Sequence, residues 1–380
     1  MNILFFNHGY IDPITGGVSK VSYYLYRYLK HRGHQVTLLS WMKNPHPLPD
    51  SLSMPDADMV LSPDNKNLLD KVLKEKKIDL VLSHTGNNPN LAPAIKYVAQ
   101  QGVKVVTIDH APPYGLYGYR MFPELVDLRS AFLRKLADLM IRYAYVVKYR
   151  RLTAMQTKYS ERIVMLSDTF IPEYLTFSGK KYRDKLMSIP NPITVEAEPR
   201  VEKENILLFV GRLVKGKGIH YLLQAWRLLE EQYPSWKLQI VGDGSERELA
   251  ERIIKKYSLK RCELLGFQQP EYYYNCAKIF CMTSTHESFG LVLVEAMLYG
   301  TVPVAFQSYP NITDIIDHGV NGMLVPPFDV KAYAAQLAEL MNDPAYLQQM
   351  SDEAVRKSEF FSIEKVGARW EQLFDELLMK

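Results

Sequence analysis

Short apolar runs alternate along the chain with longer stretches of helical periodicity, and this alternation predicts most of the architecture. Ile3 to Phe6 is an apolar run of the kind a strand shows when both its faces are buried. Gly16 and Gly17 follow, and Val18 to Lys30 then carries Val21, Tyr24, Leu25 and Tyr28 at helical spacing. Gly33 ends that helix, and Val36 to Leu39 is the next strand. Two strands joined through a helix are expected to run parallel. The pattern recurs as a strand at Leu80 to Leu82, a helix at Leu91 to Gln101, a strand at Val103 to Ile108, a long helical stretch over 122–159 and a strand at Ile163 to Leu166.

The series breaks near 190–204, where Pro190, Pro192 and Pro199 stand among several acidic residues. Proline restricts itself and the residue before it, so this segment reads as a linker. A second series then begins: strands at Ile206 to Val210, Leu238 to Val241, Cys262 to Leu265, Ile279 to Met282 and Val302 to Phe306, with helices near 217–232, 245–258 and 290–299. The fold class expected is α/β, two doubly wound Rossmann-like domains, with bounds 1–193 and 194–360. Ligands of such sheets bind outside the carboxyl ends of the strands, here in the cleft between the domains. A last helix over 361–380 places Val366, Trp370, Leu373, Phe374 and Leu377 on one face.

Composition agrees with two ordinary cores. The chain has 380 residues, 47% hydrophobic and 23% charged, with a formal net charge of +4. That balance makes no demand for a nucleic-acid partner. The three cysteines, Cys262, Cys276 and Cys281, lack zinc-knuckle spacing; Cys276 and Cys281 lie near an apolar run and read as buried thiols, which fits a reducing compartment. The start MNILFFNHGY is not basic and its apolar run is too short for a signal peptide. No run of about 18 apolar residues occurs. A cytoplasmic protein is expected.

Two segments carry candidate chemistry. In FVGRLVKGKG, Phe209 to Gly218, a buried strand ends in a glycine turn, and Arg212 and Lys217 then stand beside a helix start. Two cations at a helix N-terminus suit an anion, although a basic surface turn has the same sequence. In THESFGLVLVEAMLYG, Thr285 to Gly300, Glu287 precedes a helix whose first turn holds Phe289, Gly290 and Leu291, with backbone N–H groups open to a phosphate. Glu295 stands among apolar residues on that helix; a carboxylate there suits ribose hydroxyls if it does not simply face solvent.

Those segments resemble the signature of retaining glycosyltransferases of family four (glycosyl transferases group 1), which have the two-domain GT-B fold. The likeness runs in order through the chain: GGVSKV near the start, GRLVKGKG after the linker, VGDGSE at 241–246, HESFGLVLVEAMLYG, and DHGVNGMLVPPFD. It implies that the first domain serves the acceptor and the second a nucleotide-sugar donor, with the last helix crossing back to the first domain. Arg212 and Lys217 are implied to bind the donor diphosphate, Glu287 the hydroxyls of the transferred sugar, Phe289, Gly290 and Leu291 sugar and phosphate through their backbone, and Glu295 the ribose. Gly16 and Gly17 form the loop by which the first domain approaches the donor.

The resemblance also places an active-site histidine after a central strand of the first domain. Here Asp109 and His110 stand in the reverse of the usual order, and His84, also at a strand end, competes with His110. Gly216 replaces a frequent acid and Ser288 a frequent glycine. Retention of configuration is what the resemblance implies; independence of metal ions and the absence of a cofactor are expected, since Arg212, Lys217 and a helix terminus can neutralise a leaving diphosphate.

Finally, the stretch 129–158 carries Arg129, Arg134, Lys135, Arg142, Lys148, Arg150, Arg151 and Lys158 against Asp138, interleaved with Phe132, Tyr143, Tyr145 and Tyr149. A basic, aromatic helix suits an anionic membrane surface, which fits a peripheral enzyme on the inner face of the plasma membrane with a glycan or lipid-linked acceptor in cell-envelope polysaccharide or lipopolysaccharide synthesis. A nucleotide-sugar epimerase of the same fold and a non-catalytic sugar-nucleotide binder are the alternatives.

Overall fold

A computed structural model describes residues 1–13, 16–84, 88–112, 131–196, 198 and 201–379. The chain divides into two compact units, one of residues 1–192 and 363–380, the other of residues 193–362.

Unit 1 contains β1 (Asn2–Asn7), β2 (Gln35–Ser40), β3 (Ser51–Ser53), β4 (Leu80–His84), β5 (Lys104–Asp109), β6 (Arg162–Met165) and β7 (Leu186–Ser188). They lie in the order β3-β2-β1-β4-β5-β6-β7, with every neighbouring pair parallel. The helices are α1 (Gly17–His31), α2 (Pro63–Glu75), α3 (Ala92–Gln100), α4 (Ala131–Tyr159) and α5 (Ile171–Ser178). Alternation along the strands divides the core in two. Ile3, Phe5, Leu80, Leu82, Val106 and Ile108 pack with Leu25 and Leu29 of α1 on one face. Leu4, Phe6, Val81 and Val105 pack with Leu69 and Val98 of α2 and α3 on the other. Of the helix expected over 122–159, residues 122–130 lie outside the described residues.

Unit 2 contains β8 (Glu204–Val210), β9 (Lys237–Val241), β10 (Cys262–Gly266), β11 (Ala277–Met282), β12 (Val302–Phe306) and β13 (Met323–Val325), in the order β10-β9-β8-β11-β12-β13. Its helices are α6 (Ile219–Leu229), α7 (Arg247–Tyr257), α8 (Glu271–Cys276), α9 (Leu291–Leu298), α10 (Val330–Asn342) and α11 (Pro344–Ser358). Phe209, Trp226, Ile240, Phe306, Tyr333 and Leu337 are buried together in its core.

The last helix, α12 (Ile363–Leu378), belongs to unit 1. Its Val366, Trp370, Leu373, Phe374 and Leu377 join the core against α1. Gly367 makes the approach of these helices possible, because a Cβ there would stand 2.3 Å from the Tyr28 ring. That ring is held: its hydroxyl donates to Glu371 Oε2 at 2.8 Å, and Arg32 bonds the same carboxylate at 3.1 Å.

Both sheets reverse their strand order once, between β1 and β4 and between β8 and β11. Doubly wound sheets offer a crevice for ligands at such a reversal. The loops leaving β1 and β4, and those leaving β8 and β11, therefore hold the residues of interest.

Candidate active site

In unit 2 the loop after β8 and the loop after β11 are stitched together. The Thr285 backbone N–H donates to Gly216 O at 2.8 Å, and Thr283 Oγ1 donates to Gly218 O at 3.0 Å. Gly218 has φ 64°, and a Cβ on it would lie 2.2 Å from Thr283 O. Only glycine meets both the left-handed backbone and this approach. The stitching brings together two predicted residues that are 70 positions apart. Lys217 Nζ lies 2.5 Å from Glu287 Oε1, and their side chains keep 25% and 15% of their exposure. Ser284 Oγ donates to the same Glu287 oxygen at 2.7 Å. The pair is sheltered and still reachable. Arg212 is exposed beside it in the same loop, and among the described residues no carboxylate pairs with it.

Glu287 is followed by the start of α9. Gly290 is its N-cap, with φ 92° and no side-chain cap, so the first N–H groups of the helix lack a side-chain acceptor. The Phe289 ring faces inward, 3% exposed, edge-on to Phe361 at 5.8 Å, so only its backbone is suited to a ligand. Tyr309 and Asn311, in the turn that follows β12, lie against this segment. A Cβ on Gly290 would stand 2.7 Å from the Tyr309 hydroxyl, and Asn311 Nδ2 donates to Ser288 O at 3.0 Å. Burial, and then the nearby charge of Glu287, pushes the Tyr309 hydroxyl well above the usual tyrosine range. Burial also lowers His286, against the opposing pull of Glu287.

Glu295 does not join this cluster. It is buried, 4% exposed, and its two oxygens accept from different hydroxyls: Thr194 Oγ1 at 2.6 Å and Tyr274 at 3.1 Å. A lone carboxylate on an apolar helix is thereby satisfied rather than turned to solvent. The linker residue Thr194 and the α8 residue Tyr274 are thus tied to α9, a role that their types alone do not announce.

In unit 1, alternation puts Asn7, His84 and His110 on the same face as Phe5, Leu82 and Ile108, at the carboxyl ends of β1, β4 and β5. The two competing histidines are neighbours: His84 Nδ1 is 3.2 Å from His110 Nε2, and their rings stack 5.4 Å apart at 18°. Ser22 of α1 lies 2.9 Å from His84 Nδ1. Burial holds His84 well below its ordinary pKa, helped by His110, and lowers His110 to about 4. Both are therefore neutral near pH 7. Asp109 shares the opposite face with Thr107, which meets Ser160 after α4 at 2.8 Å. Burial raises its carboxyl to about 7. Gly16 is the N-cap of α1 and Gly17 its first residue.

One Asp-x-Asp stands in the chain, Asp56–Ala57–Asp58, and the expected independence of metal has to accommodate it. It lies in unit 1 after β3, and Asp56 is engaged locally: its backbone N–H donates to Asn65 Oδ1 at 2.9 Å, and its carboxylate accepts from Ser62. Among the described residues no group of three or more His, Cys, Asp or Glu is placed to hold a metal ion.

Of the basic stretch, Arg129 lies outside the described residues, as do the side chains of Phe132, Arg134, Lys135 and Asp138. The rest of α4 is two-sided. Tyr145 is buried against Tyr149 and Phe177, at 4.6 and 5.4 Å. Leu136, Leu139, Met140, Tyr143 and Val147 are exposed at helical spacing, near Lys148, Arg150 and Arg151. Among the described residues no helix is long and apolar enough to cross a membrane.

Comparison with known proteins bears on the family and the fold. Residues 15–197 match the family described as Glycosyltransferase Family 4, and residues 192–357 match Glycosyl transferases group 1. An uncharacterized glycosyltransferase of Haemophilus influenzae is 32% identical over 216 residues, 55% of this chain and 60% of that one. A Campylobacter jejuni protein is 28% identical over 177 residues, 46% of this chain and 49% of its own. It is named GalNAc-alpha-(1->4)-GalNAc-alpha-(1->3)-diNAcBac-PP-undecaprenol alpha-1,4-N-acetyl-D-galactosaminyltransferase. The match thus spans less than two thirds of either curated relative. Among solved structures, Anabaena HepE in complex with UDP superposes with a TM-score of 0.73 at 17% identity, covering 99% of this chain and 100% of that one. The fold is GT-B.

Proposed function

Because the chain belongs to the group 1, family 4 glycosyltransferases, we propose that it moves a sugar from a UDP- or GDP-sugar to a glycan or lipid-linked acceptor. The observation that carries this reading is the Lys217–Glu287 pair at the strand-order reversal of unit 2, beside the uncapped start of α9. The leaving diphosphate gathers negative charge as the sugar departs. Arg212, Lys217 and the α9 N–H groups meet that charge, which is where fixed cations and dipoles lower a barrier most. An ammonium has three donors, so Lys217 can hold Glu287 and a phosphate oxygen together. Glu287, positioned by Lys217 and Ser284, takes hydroxyls of the transferred sugar. Glu295 reaches the ribose only by accepting bonds beyond those of Thr194 and Tyr274; its geometry favours a buried brace.

The proposal includes retention of configuration, no requirement for a divalent metal and no cofactor. Gly16 and Gly17 approach the donor, and His110 contacts donor sugar or acceptor. The name of the Campylobacter relative, which carries a PP-undecaprenol group, supports a lipid-linked acceptor. The exposed apolar stripe of α4 and its basic neighbours support contact with the anionic inner face of the plasma membrane. Absence of binding to anionic vesicles at low salt refutes that part.

One experiment separates the three activities this site can have. The chain is incubated with a panel of UDP- and GDP-sugars in EDTA, with and without acceptor. Transfer or slow donor hydrolysis is the result expected. Interconversion of free donors indicates an epimerase, and binding without turnover a non-catalytic binder.

A further inference from the structure

The histidine pair of unit 1 has a proton count that its contacts determine. Ser22 Oγ carries one hydrogen and has two close partners: Val18 O at 2.8 Å and His84 Nδ1 at 2.9 Å. A carbonyl oxygen can only accept, so the hydroxyl proton goes to Val18. Ser22 Oγ must then accept from His84, and His84 Nδ1 carries a proton. The same N–H faces His110 Nε2 at 3.2 Å, so that nitrogen is bare. A neutral imidazole with a bare Nε2 holds its proton on Nδ1.

The opposite assignment, with His110 Nε2–H donating to a bare His84 Nδ1, fails on the first contacts. It leaves two lone pairs facing each other at 2.9 Å, or strips the proton from the 2.8 Å contact with Val18. Phe5, whose ring centroid is 4.8 Å from that of His84, packs beside the imidazole. His110 Nδ1 is buried and has no hydrogen-bond partner among the described residues. A buried donor left unpaired is destabilising, and an arriving oxygen acceptor recovers that cost.

The geometry points to Ser22 and His84 as positioning residues that fix His110 as a neutral Nδ1–H donor toward an oxygen of the bound substrate, not as a base. This rests on the proposed glycosyl transfer only for the identity of that substrate. His110 donates to a sugar or acceptor oxygen without taking up a proton, so deprotonation of the attacking hydroxyl falls to another group. Burial agrees, since it keeps both imidazoles uncharged.

Long-range proton–nitrogen NMR of the full chain with labelled histidine reads the tautomers directly, and His84→Asn and His110→Asn assign the two signals among nine histidines. At neutral pH His110 is expected to show a protonated Nδ1 and a bare Nε2. A protonated Nε2, or a charged ring, overturns the inference whatever the activity. His84→Leu removes the N–H that fixes His110; its tautomer is expected to change and kcat/KM for transfer to fall roughly tenfold to a hundredfold. His84→Asn, whose amide restores an N–H near the Nδ1 position, is expected to recover most of both. Equal losses in the two variants with an unchanged His110 tautomer overturn the positioning role. Full transfer by His110→Ala refutes instead the placement of His110 in the active site, while the wild-type spectrum still decides the tautomer.

Discussion

Asp109→Asn isolates a buried carboxyl of unit 1. The side chain is 3% exposed, its Oδ1 has no partner among the described residues, and burial raises its pKa from 3.8 to about 7. Below 3.8 the folded and unfolded chains both hold the proton. Between 3.8 and about 7 only the folded chain does, so the wild-type protein loses stability as pH rises, and the loss is complete above about 7. That gap, at about 1.4 kcal/mol per pH unit, amounts to about 4 kcal/mol. Asparagine keeps the shape and does not titrate, so any constant cost of its amide displaces the curve without tilting it. His110 loses stability in the opposite sense as pH falls from 6.5 toward about 4, but it is present in both proteins and cancels in their difference. Urea unfolding at a series of pH values, with unit 1 followed by hydrogen exchange in β5, gives that difference. The variant is expected to gain about 4 kcal/mol on wild type between about pH 4 and pH 8. A flat difference would mean that Asp109 ionises in the fold with an ordinary pKa, and would refute the reasoning.

Three further substitutions test how the elements are held. Gly218→Ala combines a left-handed φ with a 2.2 Å approach to Thr283 O; a loss of roughly 2–4 kcal/mol in unit 2 and of transfer activity is expected, and unchanged activity would contradict the stitched-loop account. Glu295→Ala leaves the Thr194 and Tyr274 hydroxyls without their acceptor, and thermal unfolding should show a cost of about 3 kcal/mol; a neutral result would remove the brace. Gly367→Ala should destabilise unit 1 by about 1–3 kcal/mol through the Tyr28 ring, whereas helix propensity alone predicts a gain of about 1 kcal/mol.

The parts of the fold legible in the sequence are those where burial is complete. β1, β4, β5, β8, β11 and β12 lie inside parallel sheets, so both faces are apolar and each reads as a continuous run. β3, β7 and β13 are sheet edges of three residues each; Ser51–Leu52–Ser53 has no buried member and leaves no apolar signal. α2 carries Ser62 as N-cap and Pro63 in its first turn, a start signal legible in the sequence. At the site, residue types marked Arg212, Lys217 and Glu287, but contact across 70 positions is a property of the folded loops. Tyr309 and Ser284 were missed because a hydroxyl next to a strand end is common and only its neighbours give it a role. His84 and His110 looked like rivals because chain order separates what strand pairing brings side by side.

The central claim is that the Lys217–Glu287 cluster serves the leaving diphosphate of a nucleotide-sugar donor. Lys217→Ala tests it most directly, with circular dichroism and thermal unfolding to show that unit 2 remains folded. Turnover of the donor identified in the UDP- and GDP-sugar panel is then measured at saturating concentration. A fall in kcat of roughly 10²–10³ is predicted from the loss of one fixed charge at the leaving group; a folded variant that turns over at the wild-type rate would contradict the account.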